Sequence, residues 1–100
     1  MVFENVFSPI KIRGMEMRNR VIFPAMGTKM AGKGKEVTDQ IINYHVARSK
    51  GGNGLNFTEV CSVYDKAAPK SFLSISDDKY IPGLKKLVDA IHLGGAKAGV

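Results

Sequence analysis

The sequence predicts an α/β fold, an N-terminal β-hairpin followed by β-α-β-α-β. Three observations carry this prediction. An apolar run, Val21-Ile22-Phe23, enters a Pro/Gly turn at Pro24-Ala25-Met26-Gly27. Two amphipathic helical stretches follow, closed by Gly51-Gly52 and Gly94-Gly95. After each Gly pair another strand-like run opens, at residues 54–60 and 97–100. Strands alternating with helices in this way make a parallel sheet with helices packed outside it.

Each element has a local reason. Ile10-Lys11-Ile12 and Met15-Glu16-Met17 alternate apolar and charged residues around Arg13-Gly14, which is the pattern of a tight hairpin. Val21-Ile22-Phe23 has no polar break, which predicts a strand buried on both faces. The Gly- and Lys-rich stretch 27–36 predicts a mobile loop. Thr38 is the predicted N-cap of the first helix, and Asp39 suits the positive end of its dipole. Ile41, Ile42, His45, Val46 and Ser49 form one face of that helix, and Arg48 and Lys50 suit its C-terminal end.

A second strand is expected over about residues 55–63, followed by a long loop over 64–79 with a turn near Asp77-Asp78. Pro82 fits the first position of the second helix, whose stripe is Ile81, Leu84, Leu87, Val88 and Ile91. The third strand opens at Lys97. Three parallel strands leave an edge unpaired. The chain is therefore expected to be the N-terminal part of something larger, continued as a doubly wound sheet or as a barrel.

Composition narrows the classes of function. The 100 residues are 44% hydrophobic and 24% charged, an ordinary globular balance with room for one small core. No apolar run approaches a membrane span. Residues 1–5 show no basic segment leading into an apolar one, so no signal peptide is expected. One cysteine, Cys61, allows no internal disulfide, which fits a reducing cytoplasm. The net charge of +6 raises nucleic-acid binding. Its distribution argues against that reading, because the densest cluster, Lys29, Lys33 and Lys35, has no interleaved aromatics to stack on bases. Attraction of an anionic ligand, or solubility, is the expected role of the charge.

The stretch Asn19-Arg20-Val21-Ile22-Phe23-Pro24-Ala25-Met26-Gly27-Thr28 resembles the first-strand motif of the old yellow enzyme family of FMN-dependent ene-reductases. Further segments agree in order. Phe7-Ser8-Pro9-Ile10-Lys11-Ile12 is similar to the family's opening and bottom-closing hairpin. Val37-Thr38-Asp39 to Tyr44, then Ala47-Arg48-Ser49-Lys50-Gly51-Gly52, is similar to its first helix and exit. Thr58-Glu59-Val60 resembles its second strand end, and Asp77-Asp78 with Ile81-Pro82-Gly83-Leu84 to Ala90 its second helix. Within the family, Pro24 to Ala31 is most similar to the branch of enoate reductases, dienoyl-CoA reductases and bile-acid-type NADH:flavin oxidoreductases.

This resemblance implies an incomplete (β/α)8 TIM barrel, cut within its third strand, since a whole barrel takes about 250 residues. It implies FMN as cofactor and NAD(P)H as reductant. The substrate would be a small unsaturated molecule of enoate, enone or enoyl-CoA type. An iron–sulfur cluster and FAD, found in that branch, would belong to a C-terminal part, because one cysteine cannot make a four-thiolate site. Nucleic acid and membrane are not implied as partners, and oligomeric state stays open.

By the same resemblance, Ala25, Met26 and Gly27 would line the isoalloxazine and Val60 would touch its pyrimidine side. Barrel sites lie at the C-terminal ends of the strands, where these residues fall. Gly27 departs from the many relatives with Thr or Cys there, and offers the flavin only its backbone N–H. Lys29 stands where some relatives carry an aromatic and takes no assigned role. No catalytic residue and no metal ligand is assigned, the proton donor being expected beyond residue 100. Cys61, His45 and His92 read as structural. Glu59, a carboxylate in an apolar strand, is either an internal hydrogen-bonder or part of the site. An ion pair between Arg20 and Glu59 is a further expectation. Two rivals remain: a flavin-independent (β/α)8 enzyme fragment and a small basic α/β binding module.

Overall fold

A computed structural model describes residues 3–100; Met1 and Val2, the first two residues of the segment expected to form no signal peptide, lie outside them. The chain runs α1 (Glu4–Phe7), β1 (Ile10–Ile12), β2 (Met15–Met17), β3 (Ile22–Phe23), α2 (Asp39–Lys50), β4 (Leu55–Phe57), β5 (Cys61–Ser62), β6 (Leu73–Ser74), α3 (Ile81–Leu93) and β7 (Lys97–Gly99). β1 and β2 form the expected antiparallel hairpin, with Arg13 in the left-handed region at φ 52°. β3, β4 and β7 form a parallel sheet in that order, which is open among the described residues. α2 packs on β4, α3 on β7, and the two helices on each other. This is the β-α-β-α-β arrangement read from the sequence.

The core lies between helices and sheet. Ile41 of α2, Leu87 and Ile91 of α3, Leu73 of β6 and Ala96 pack together, all buried. Each large side chain contributes roughly 1.5–3 kcal/mol of apolar burial. Thr38 caps α2 as expected, its hydroxyl accepting the N–H of Ile41 at 3.3 Å. Gly52 and Gly95, at φ 115° and 98°, turn the chain after each helix in a conformation that favours glycine.

The opposite end of the sheet from the strand exits is tied by side chains. The Arg18 guanidinium donates to the carbonyls of Asn53 (3.0 Å), Ser49 (2.6 Å) and Gly94 (3.2 Å), collecting acceptors from the ends of both long helices. Asn19, buried beside it, donates to the Gly52 carbonyl at 2.6 Å and accepts from Val21 N–H at 3.0 Å.

Several expectations are corrected. β3 is not buried on both faces: Val21 and Ile22 are 38% and 47% exposed, because β4 is its one neighbour among the described residues. The second strand stops at Phe57 and does not run to Val63. Residues 61–62 pair instead with Leu73–Ser74, so the predicted long loop holds a strand and two 3-10 turns, Asp65–Ala67 and Asp78–Tyr80. Ile81 is 56% exposed and leaves the helix stripe, since it sits at the helix start ahead of the packed turns. The 27–36 segment is hydrogen-bonded rather than free. Met30 O accepts from Thr38 at 2.7 Å, Lys35 O accepts from Ser74 N–H at 3.1 Å, and Gly34 O accepts from the Tyr80 hydroxyl at 2.9 Å.

Candidate functional site

The strand exits gather at the C-terminal end of the sheet. After Phe23 the chain continues through residues 24–27 outside any strand or helix. Among the described residues, the N–H and C=O groups of 24–27 enter no backbone–backbone or side-chain hydrogen bond outside the regular elements. All four residues are exposed, Met26 by 52%. Proline removes one donor and Gly27 brings no side chain, so this exit is a bare ribbon of peptide groups flanked by the Met26 side chain.

The ribbon is gripped at its far end by Glu59. This carboxylate is 2% exposed, and its Oε2 accepts both the Thr28 N–H, at 3.1 Å, and the Thr28 hydroxyl. Thr28 Oγ1 also accepts from Met30 N–H at 3.2 Å, closing a short turn. The Arg20–Glu59 ion pair does not form. Arg20 lies at the other end of β3, where its Nε donates to Ser8 Oγ at 3.2 Å. Glu59 Oε1 is buried without a partner among the described residues.

β4 ends beside this grip. Thr58 N–H donates to Gly99 O at 2.8 Å, tying the β4 and β7 exits together. The Glu59 carbonyl accepts from Thr58 Oγ1 at 3.1 Å and from Cys61 Sγ at 3.3 Å. Val60 follows half-buried. Thus Ala25, Met26 and Gly27 stand on one strand exit, Val60 on the next, and the Thr28–Glu59 pair joins the two.

From Val60 an apolar cavity of about 330 Å³ opens outward, lined by Cys61, Tyr64, Ala68, Pro69 and Phe72 among others. Phe72 reaches back toward Gly27: a Cβ placed on Gly27 would meet only Phe72 Cε1, at 3.9 Å. The cavity wall is held by a cluster that sequence reasoning missed. Asp65 accepts from Ser62 (2.7 Å), Ser74 (2.7 Å) and Ser76 (2.8 Å), and Lys35 Nζ lies 4.0 Å away while donating to Pro69 O at 2.8 Å. The three hydroxyl donors, Ser62 first, hold the Asp65 carboxyl down at about 2. The local Ser62-x-x-Asp65 spacing is its one trace in the sequence; the other partners arrive through folding.

The remaining titratable candidates are placed as structural groups. Burial pushes the Cys61 thiol up, partly opposed by the Thr58 hydroxyl, which disfavours the thiolate a nucleophile needs. His45 is fully buried on the helix side, its Nδ1 3.0 Å from Asn56 Oδ1, and burial pushes the imidazole below its ordinary value. His92 is exposed on α3. Among the described residues no group of His, Cys, Asp and Glu is arranged to hold a metal ion. Among the described residues, the strand exit at 24–27 presents exposed peptide groups beside the apolar side chains of Met26 and Val60.

Comparison with known proteins identifies the family and the fold. A model of the NADH:flavin oxidoreductase / NADH oxidase family matches residues 5–100. An NADH oxidase of Thermoanaerobacter brockii is 39% identical over 98 residues, covering 95% of this chain and 15% of the relative. A solved 2-naphthoyl-CoA reductase in complex with 2-naphthoyl-CoA superposes with a TM-score of 0.93 at 30% identity, over 97% of this chain and 15% of that one. An Old Yellow Enzyme from a Pichia species superposes with a TM-score of 0.85 at 27% identity, over 94% of this chain and 25% of that one. The chain therefore spans between about a seventh and a quarter of these proteins.

Proposed function

Because the chain belongs to the NADH:flavin oxidoreductase / NADH oxidase family, we propose that residues 1–100 are the N-terminal part of an FMN-binding (β/α)8 barrel and supply one wall of its flavin pocket. The observation that carries this reading is the exposed ribbon 24–27 at the sheet's C-terminal end, free of hydrogen bonds outside the regular elements among the described residues, with Val60 on the neighbouring exit.

The residues present fit a flavin. A planar ring with polar edges needs flat apolar walls and a few peptide donors and acceptors. Ala25, Met26 and Gly27 offer unengaged N–H and C=O groups. Met26 and Val60 offer apolar surface, and the space at Gly27 is open up to Phe72. No residue here is assigned to the FMN phosphate. When bound, FMN supplies hydride transfer from NAD(P)H to an activated C=C bond. This chain's part would be binding and exclusion: the Gly27 N–H would be a donor to the flavin, Met26 and Val60 would shield it from water, and the acid would be supplied by other residues.

The substrate class is a small unsaturated compound, an enoate, enone or enoyl-CoA; likeness to the 2-naphthoyl-CoA reductase supports the acyl thioester among these. An iron–sulfur cluster and FAD, where present, draw on other residues, since Cys61 is the one cysteine here. The one cysteine among these 100 residues supports a reducing cytoplasm. No helix among the described residues is long and apolar enough to cross a membrane. The rival basic binding module loses support at Lys35, which is buried and bonded to Pro69 O instead of being displayed with Lys29 and Lys33. The test is anaerobic titration of the full protein. NADH or NADPH should bleach the flavin absorption, and an enone or enoyl thioester should restore it. Bleaching with no recovery on any activated alkene would discard the ene-reductase assignment.

A further inference from the structure

Glu59 is a poor choice for packing alone. A carboxylate with 2% exposure loses its hydration, and nothing cationic repays it: the ion pairs among the described residues involve Asp39, Asp65 and Asp89. One of its oxygens is buried with no partner among the described residues. The other takes two donors from a single residue, Thr28. Buried polar atoms left unsatisfied in a native fold call for an explanation.

Peptide planarity supplies one. The Gly27–Thr28 bond is a rigid plane in which N–H and C=O point in opposite directions. By fixing the Thr28 N–H on its Oε2, Glu59 also fixes the direction of the Gly27 carbonyl, turned away from Glu59. Gly27 is the most flexible link of the ribbon and has no side chain to anchor it. The next residue is where the carboxylate grips, and the Thr28 hydroxyl makes that grip two-pronged while closing the turn to Met30. Glu59 itself is held by bonds from Thr58 and Cys61 to its own carbonyl.

We infer that Glu59 is a positioning residue for the flavin pocket, acting through Thr28 to hold the Gly27 carbonyl, and with it the end of the 24–27 ribbon, in binding orientation. This rests on the proposed flavin reading and adds a residue that touches no ligand in it. The grip takes the place of a side-chain anchor at position 27.

The test uses the full protein, stripped of FMN and titrated with it, read by quenching of flavin fluorescence, by the visible spectrum, and by the rise in Tm on FMN addition. Glu59→Ala and Thr28→Val should weaken FMN binding by about tenfold or more, shift the bound-flavin bands, and shrink the FMN-dependent rise in Tm. Glu59→Gln and Thr28→Ser, which keep an acceptor and a hydroxyl, should stay within about threefold of wild type. Should Glu59→Ala fail to fold, Thr28→Val decides, because it keeps side-chain shape and removes the hydroxyl that steadies Thr28 on Oε2 and closes the turn to Met30. A lower Tm of the stripped protein with unchanged FMN affinity and spectrum means the pair is merely structural and overturns the inference. A wild-type protein that binds no FMN overturns the flavin reading itself, whereas wild-type binding shared by all the variants overturns only the role of Glu59.

Discussion

Arg18 offers the sharpest test of how the C-terminal ends of α2 and α3 are held together, at the end of the sheet opposite the strand exits. Its guanidinium serves Asn53 O at 3.0 Å, Ser49 O at 2.6 Å and Gly94 O at 3.2 Å. These carbonyls lie where α2 and α3 run out of intrahelical partners, so a cation there also meets the negative end of two helix dipoles. Charged hydrogen bonds are worth about 1.5–3 kcal/mol when well buried. Two of these are part-buried and one exposed, so water recovers some of each. About 1–1.5 kcal/mol for each of the first two and about 0.5 for the third gives roughly 3 kcal/mol.

Arg18→Ala should therefore raise amide exchange at both helix ends by on the order of 100-fold. The assay is hydrogen–deuterium exchange of peptides spanning residues 44–54 and 88–96 in the full protein. Arg20→Ala is the control. Its side chain makes one exposed bond, to Ser8 Oγ at 3.2 Å, and the change should cost below about 0.5 kcal/mol. Exchange at both helix ends within about threefold of wild type in Arg18→Ala would refute the reasoning, as would an equal effect from Arg20→Ala.

Other consequences are as direct. Gly94→Ala should cost about 1–3 kcal/mol, read as a lower Tm, because the new methyl would sit 2.7 Å from Ser49 Cβ while Ser49 Oγ is held on Ile91 O; Gly14→Ala, with open space, should be near neutral. Gly27→Thr should leave the fold intact, since only Phe72 Cε1 lies within reach at 3.9 Å, and should change the midpoint potential of bound FMN in a dye-coupled titration. Asp65 has a folded-state value near 2 against an ordinary 3.8, so its contribution is complete above about pH 4 and is lost as pH falls toward 2. Amide protection over residues 62–76 should drop across that window, and Asp65→Asn should remove the drop.

What the sequence made legible was local. The hairpin, the Thr38 cap, Pro82 at the helix start and the Gly pairs each write their signal within a few residues, and the structure places all of them as read. The apolar run at β3 was misread as buried because its composition records a tendency to be covered, while the number of neighbouring strands is a matter of topology. The break after Phe57 was missed because Cys61 and Ser62 have partners at Leu73 and Ser74, more than ten residues away. Lys35 looked like surface charge until folding set it against Pro69 and Asp65. At the candidate site, the family motif pointed to Ala25, Met26, Gly27 and Val60, and the structure sets them on two neighbouring strand exits. Glu59 stood out as an isolated carboxylate, but its partner Thr28 lies 31 positions earlier, beyond any local pattern.

The proposed flavin lies against residues 24–27 and Val60. The full protein, purified and still folded, should show the paired visible absorption bands of oxidised flavin and release one FMN per chain at this pocket on denaturation. A folded, colourless protein that takes up no FMN on titration would contradict it.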